Sequence, residues 1–304
     1  MTQPLTVDWV EVGPRDGLQS WPKTLPTPAK VGLVASLLSC GFRRVEATSM
    51  VHPKWVPQLA DAEAVLEALQ DRIDQLRVLV PNRRGLDRAR EAGVRNIAVT
   101  VAATDGYNEH NLNRSVRETL EEIQVIADEA RRDNIVVDAS VSVAFGCPYD
   151  GAVAPERVAD VAAALADGGI EEISLADTIG VANPAQVEAL FQAMKARLPA
   201  VRWGAHFHDT RGTAMANLLS ALETGVNLFE GSVGGIGGSP FAPGSAGNLC
   251  SEDALTMLEG MGIATGVDVS QLIAVARGLE RTLGGPLPGR VHLLAPPETG
   301  SISA

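Results

Sequence analysis

The strongest constraint in this chain is an alternation. Eight short runs rich in apolar and β-branched residues, at 7–13, 43–49, 76–81, 95–102, 136–145, 171–176, 201–208 and 228–233, are separated by longer stretches with helical spacing. Strand, helix and strand in that order build parallel units, and eight is the number that closes them into a (β/α)8 barrel. Within 184–198, Val187, Leu190, Phe191, Met194 and Leu198 share one helical face, with Asn183 at the cap and Pro184 in the first turn. Within 114–132, Val116, Leu120, Ile123, Ala127 and Ala130 repeat the pattern. An open doubly wound sheet is the alternative architecture.

No linker of Pro, Gly and Ser divides the chain, so the sequence reads as one domain: a barrel over about 7–265, then a C-terminal helix and tail over 266–304. The stretch after 284, "GGPLPGR", reads as extended or mobile. With 304 residues, 45% of them hydrophobic, the core is ample. The formal charge of −12, from 25 basic and 37 acidic residues, argues against nucleic acid or an anionic membrane as partner. An anionic substrate would then need a local arginine or a cation. Cys40, Cys147 and Cys250 have no paired spacing, which suggests a reducing compartment. No run reaches the length of a membrane span and no targeting segment is evident, so the expected location is the cytoplasm.

A barrel places its chemistry at the C-terminal ends of its strands. There the sequence offers Glu11, Arg15 and Asp16 after the first run, Glu46 on the second and Ser174, Asp177 and Thr178 at the sixth. His206, His208 and Asp209 follow on the seventh, and a glycine-rich loop after the eighth closes on Asn248. Val45 and Ala47 take the face opposite to Glu46, which turns Glu46 inward. Each residue also has a plainer role open to it. "PRDG" is good turn chemistry, Glu46 can pair with Arg43 or Arg44, and the histidines can belong to core or surface. Asn248 can cap a helix over 249–262, and the glycine loop can be a connector; it is no dinucleotide fingerprint. Their arrival at one end of one barrel favours the functional reading. Two imidazoles, a carboxylate and an amide oxygen form a thiolate-free set that suits Mg²⁺ or Mn²⁺ better than structural zinc.

The segments "EVGPRDGLQ" (11–19), "PKWVPQ" (53–58), "GCPYDG" (146–151), "SLADTIGV" (174–181), "HFHDT" (206–210) and "GGSPFAPGSAGNL…ED" (237–253) together resemble the 3-hydroxy-3-methylglutaryl-CoA lyase family. The resemblance runs in order from about residue 7 to about 283 and implies a metal-dependent TIM-barrel lyase acting on an acyl-CoA. It implies Asp16, His206, His208 and Asn248 as ligands of Mg²⁺ or Mn²⁺, and Arg15 as the group that binds the thioester oxygen. It also implies that Glu11, Glu46 and Asp177 shape the site and move protons, and that 234–247 is an active-site loop. Leucine degradation is the implied setting, and a homodimer is the default assembly.

Three positions depart from the family pattern. Ser239 stands in the loop where the family has cysteine, whose thiol delivers a proton far more readily than a hydroxyl. Cys250 lies close enough in sequence to be weighed as a substitute. Phe241 and Arg211 stand where tyrosine is usual. The expected reaction is cleavage of 3-hydroxy-3-methylglutaryl-CoA to acetyl-CoA and acetoacetate. One alternative is a lyase for a shorter relative such as citramalyl-CoA, giving acetyl-CoA and pyruvate. Another is a degenerate barrel that binds metal or acyl-CoA without turnover.

Overall fold

The computed structural model describes residues 6–238 and 247–294. Its eight parallel strands are β1 (Asp8–Glu11), β2 (Arg44–Ser49), β3 (Leu76–Leu79), β4 (Asn96–Ala102), β5 (Val136–Ser142), β6 (Glu172–Asp177), β7 (Arg202–Phe207) and β8 (Leu228–Gly231). Each pairs with the next, and β8 returns to β1 in register from Asp8 opposite Leu228 to Glu11 opposite Gly231, so the sheet closes. The open-sheet alternative is thereby excluded, and the (β/α)8 expectation holds.

Helices cover the outside because their apolar stripes match the outward-facing strand residues. The helix Pro184–Arg197 buries Val187, Leu190, Phe191 and Met194. Its start is fixed by a capping box in which the Asn183 side chain accepts from the Gln186 amide at 3.1 Å. Val116–Arg132 is set the same way by Ser115 and Glu118. Such caps are worth about 1 kcal/mol each, enough to place a helix end to the residue.

Several boundaries differ from the sequence reading, each for a local reason. The first strand stops at Glu11, because the amides of Arg15, Asp16 and Gly17 all turn back onto the Val12 carbonyl at 3.1, 2.8 and 3.3 Å. This tight π-helical turn swings Arg15 and Asp16 over the barrel mouth. The fifth strand stops at Ser142, since Val143 adopts a left-handed φ of 52° and donates its amide to Thr178 Oγ1. The helix expected over 249–262 runs Ser251–Gly260 with Cys250 at its N-cap position, so Asn248 is not its cap. The stretch after 284 is packed against the barrel as far as His292. Leu287 and His292 are buried, the Gly289 amide donates to the Gly234 carbonyl at 3.0 Å, and Arg290 and Val291 donate to Asp253.

The barrel interior also differs from the aliphatic packing usual in such folds. Along each strand alternate residues face inward, and here many of them are charged. At the N-terminal end Arg44 bonds Asp138 (2.9 Å) and Glu172 (2.6 Å), while Arg202 bonds Glu172 (3.0 Å) and Asp8. One level up, Arg77 of β3 reaches Glu46 of β2 and Glu230 of β8.

Candidate metal centre and active site

The two histidines come from the end of β7. Ala205 and Phe207 face the helices, and Phe207 packs on Phe145 with ring centroids 6.1 Å apart. His206 therefore points inward, and His208 sits just beyond the strand. The chain returning from the loop after β8 is zipped onto this strand end. Leu249 donates its amide to the Phe207 carbonyl at 2.8 Å, and Asp209 donates to Gly247 at 3.0 Å. That pairing sets Asn248 beside His208.

Asp16, His206 and His208 each offer a ligand atom, and the three atoms lie within 4.8 Å of one another. Asp16 Oδ2 is 4.0 Å from His206 Nε2. Asn248 donates to Asp16 Oδ2 at 2.8 Å and to the Ile236 carbonyl at 3.2 Å. Its own Oδ1 is buried without a hydrogen-bond partner, and so is His208 Nδ1. A buried polar atom left unsatisfied costs about 1–3 kcal/mol. A divalent cation held by carboxylate, imidazole and amide oxygen would satisfy such atoms, so the residues present fit the metal that the ligand types suggest.

The electrostatics agree. Burial, with His206 adjacent, pushes His208 down to about 4, which keeps the imidazole neutral and able to ligate. Burial alone would raise Asp16, but the charge of Arg15, then those of His206 and His208, and the Asn248 hydrogen bond outweigh it and hold the carboxylate ionised. His206 is raised, because its hydrogen bond and attraction to Glu230 overcome the opposing effect of burial.

Arg15 adjoins this cluster. Its Nη1 donates to Asp16 Oδ1 at 2.8 Å and its Nε donates to Glu46. Gln19 donates to the same Asp16 oxygen at 2.9 Å. Glu46 therefore pairs with Arg15 and Arg77, not with its sequence neighbours: Arg43 goes to Asp8 at 3.7 Å and Arg44 to Asp138 and Glu172. Glu11 is tied into the scaffold behind the site. It accepts from the amides of Gly13 (2.8 Å) and Val233 (2.9 Å) and from the Ser251 hydroxyl (2.6 Å), while burial pushes it up to about 8. Asp177 accepts from the Val181 and Ala182 amides, and burial raises it despite these bonds. Asp209 caps the following helix by accepting from Ala214, and Arg211 clamps the carbonyls of Ile179 and Gly180.

The structure thus gathers Arg15, Asp16, Glu46, His206, His208 and Asn248 into one contact chain, with Glu11 and Asp177 bracing the loops around it. Ser239 and Phe241 lie outside the described residues. Cys250 is buried and its thiol is pushed well up by burial, which makes it a poor proton carrier. Two functional candidates escaped the sequence reading, Arg77 and Glu230. Both are charged residues inside short apolar strands, a signal as strong as the one that marked Glu46.

Known proteins resemble this chain along most of its length. A family model described as HMGL-like matches residues 6–278. The hydroxymethylglutaryl-CoA lyase of Bacillus subtilis is 44% identical over 291 residues, covering 95% of this chain and 97% of that protein. Its crystal structure superposes with a TM-score of 0.93, over 96% of this chain and 98% of that one. The (R)-citramalyl-CoA lyase of Chloroflexus aurantiacus is 41% identical over 298 residues, covering 94% of each chain. An HMG-CoA lyase from Acinetobacter baumannii, solved with coenzyme A and 3-methylmalate, is 35% identical with a TM-score of 0.89, over 97% of this chain and 99% of that one.

Proposed function

The chain belongs to the HMGL-like family, and from that premise we propose that it is a carbon–carbon lyase that cleaves 3-hydroxy-3-methylglutaryl-CoA to acetyl-CoA and acetoacetate. The observation that carries this reading is the convergence of Asp16, His206 and His208 with Asn248, in which His208 Nδ1 and Asn248 Oδ1 are buried without partners, and the Arg15 guanidinium lies alongside. Mg²⁺ or Mn²⁺ held by these four residues would polarise a substrate alcohol and carboxylate and lower the alcohol's pKa.

The remaining chemistry falls to the chain itself. Cleavage removes the proton of the tertiary hydroxyl, breaks the adjacent C–C bond and leaves its electron pair on the acyl-CoA carbon as an enolate. Arg15, held by Glu46 and Asp16, is preorganised to receive that charge on the thioester oxygen. Asp177 is the proposed proton acceptor, its carboxyl raised by burial toward the range of a working base. Glu11 supports both loops that frame the site. Ser239 occupies the loop position from which the enolate would be protonated.

The same reading carries an acyl-CoA substrate, a cytoplasmic setting in leucine degradation, a homodimer and a single barrel domain with a C-terminal helical extension. Among the described residues no helix is long and apolar enough to cross a membrane. A second reading, cleavage of citramalyl-CoA, is favoured by the 41% identical Chloroflexus relative and by the departures from the family pattern at Ser239 and Arg211. The substrates differ by one methylene, worth about 1–3 kcal/mol in a pocket. Mass spectrometry of both acyl-CoAs incubated with the protein, with Mg²⁺ and with chelator, tests the choice. Metal-dependent acetoacetate from the first supports the main reading. Pyruvate from the second alone moves the substrate, and no cleavage of either despite metal binding makes the barrel a binder.

A further inference from the structure

Glu46 and Glu230 each use both carboxylate oxygens, and each oxygen meets a different partner. Glu46 Oε1 takes Arg15 and its Oε2 lies 2.7 Å from Arg77 Nε. Glu230 Oε1 accepts from Arg77 Nη2 at 2.8 Å, and its Oε2 lies 3.0 Å from His206 Nδ1. The contacts therefore run from Arg15 through Glu46, Arg77 and Glu230 to His206, and return from His206 to Arg15 through Asp16. Arg77, Glu46 and Glu230 are 3%, 1% and 5% exposed, so water screens none of these charges. Arg77 spans the two acids: its Nη2 donates to Glu230, and its Nε meets Glu46 as an ion pair without a formed hydrogen bond. Among the described residues it is the one group that touches both arms.

We infer that Arg77 and Glu230 are positioning residues that couple the metal pole of the site to its enolate-binding pole. The inference rests on the metal-centre reading above. Glu230 holds the Nδ1–H of His206, which fixes the ring's tautomer and direction and leaves Nε2 facing Asp16 as the ligand atom. Arg77 fixes Glu230, and through Glu46 it fixes the guanidinium of Arg15. With Arg15 and Arg77 set against Asp16, Glu46 and Glu230, the ring has two positive and three negative members, and a bound dication brings the balance to one positive charge. That balance suits an anionic product state. Asp138, 3.8 Å from Arg77, is shared with Arg44 and links the ring to the ionic layer below.

The test uses the full-length protein and three variants. In Glu230→Gln the amide can offer donor or acceptor, so it no longer enforces one tautomer. Mn²⁺ affinity, measured by electron paramagnetic resonance, is expected to fall about 10–100-fold. In metal-free protein labelled with ¹⁵N-histidine, read at alkaline pH where the ring is neutral, His206 is expected to change from one tautomer to a mixture. Its signals are assigned by their loss in His206→Gln. Arg77→Lys keeps a charge but not the fork, so both poles should respond. Mn²⁺ affinity should fall, and kcat at saturating Mn²⁺ should fall about 10–100-fold with KM nearly constant. Arg202→Met breaks ion pairs outside the ring and should lower stability while leaving metal affinity, tautomer and kcat in place. The inference is overturned if Glu230→Gln and Arg77→Lys behave like Arg202→Met, losing stability with Mn²⁺ affinity within twofold and one His206 tautomer throughout. If the unaltered protein binds no Mn²⁺, the metal-centre reading fails instead, and the tautomer measurement still decides whether Glu230 sets the ring.

Discussion

At the N-terminal end of the barrel, Arg44 and Arg202 meet Asp8, Asp138 and Glu172, and their guanidinium groups are engaged by these carboxylates. At the C-terminal end, Arg15, Asp16, His206, His208 and Asn248 crowd together equally closely, but Asn248 Oδ1 and His208 Nδ1 are left without partners. Both ends combine arginine with acid inside a barrel, and a cleft of about 350 Å³ even opens beside the lower layer, lined by Arg44, Asp138, Glu172 and Arg202. Saturation is the difference. The acids of the ionic layer are already paired with arginine, whereas the cluster above keeps buried ligand-type atoms unpaired at a cost that a bound cation would relieve. Charge density alone would not have told the two ends apart.

The largest test of this contrast is His208→Ala. Turnover should fall by about 10³-fold or more, since a proposed ligand of the activating cation is lost. The metal-free protein should unfold within about 1 kcal/mol of the original, because the buried Nδ1 has no partner to lose. Activity assays with Mn²⁺ and calorimetry of the apoprotein read the two effects. Arg44→Met is the mirror experiment. It removes the hydrogen-bonded partner of Asp138 and one of the two on Glu172, and should cost about 1–3 kcal/mol in urea unfolding, with Mn²⁺ affinity unchanged; a loss of metal binding instead would erase the division between the two ends.

A comparable effect is the metal's own stabilisation. Mn²⁺ at a hundred times its dissociation constant should stabilise the fold by about 2.7 kcal/mol, and EDTA should reverse the shift in melting temperature. Asn248→Ala should shrink it. The smallest is a slope with pH. Glu11 is raised by burial from 4.5 to about 8, so between those values the folded chain holds a proton that the unfolded chain has released. Its contribution to stability is present at low pH and is lost as pH rises, by at most about 1.4 kcal/mol per pH unit. Unfolding free energies of the original and Glu11→Gln between pH 5.5 and 8 should therefore diverge in favour of the variant as pH rises. Parallel curves would mean that the three donors hold Glu11 ionised throughout.

Much of this was legible in the sequence. Period-two and helical patterns gave eight strands and their helices, and barrel logic put His206, His208, Arg15 and Asp16 at one end. What escaped was set by tertiary geometry. The partners of Glu46 lie on β3 and on the turn after β1, and no local spacing distinguishes them from Arg43 or Arg44 next door. The role of Asn248 as something other than a cap depends on the pairing of its loop with the end of β7. Glu230 and Arg77 were readable in principle, since a lone charge in a four-residue apolar strand demands a buried partner. Naming that partner needed the register that sets Glu230 opposite His206 and Glu46 opposite Arg77.

The segment after 284 has a practical consequence. Leu287 packs on Gly234, Gly289 bonds the Gly234 carbonyl, and Glu252 receives the Gly234 amide, so the root of the proposed active-site loop is gripped from the far end of the chain. Anyone shortening this protein at the apparent end of its last long helix, or crowding an affinity tag against residue 287, would be editing the catalyst while intending only to trim its packaging.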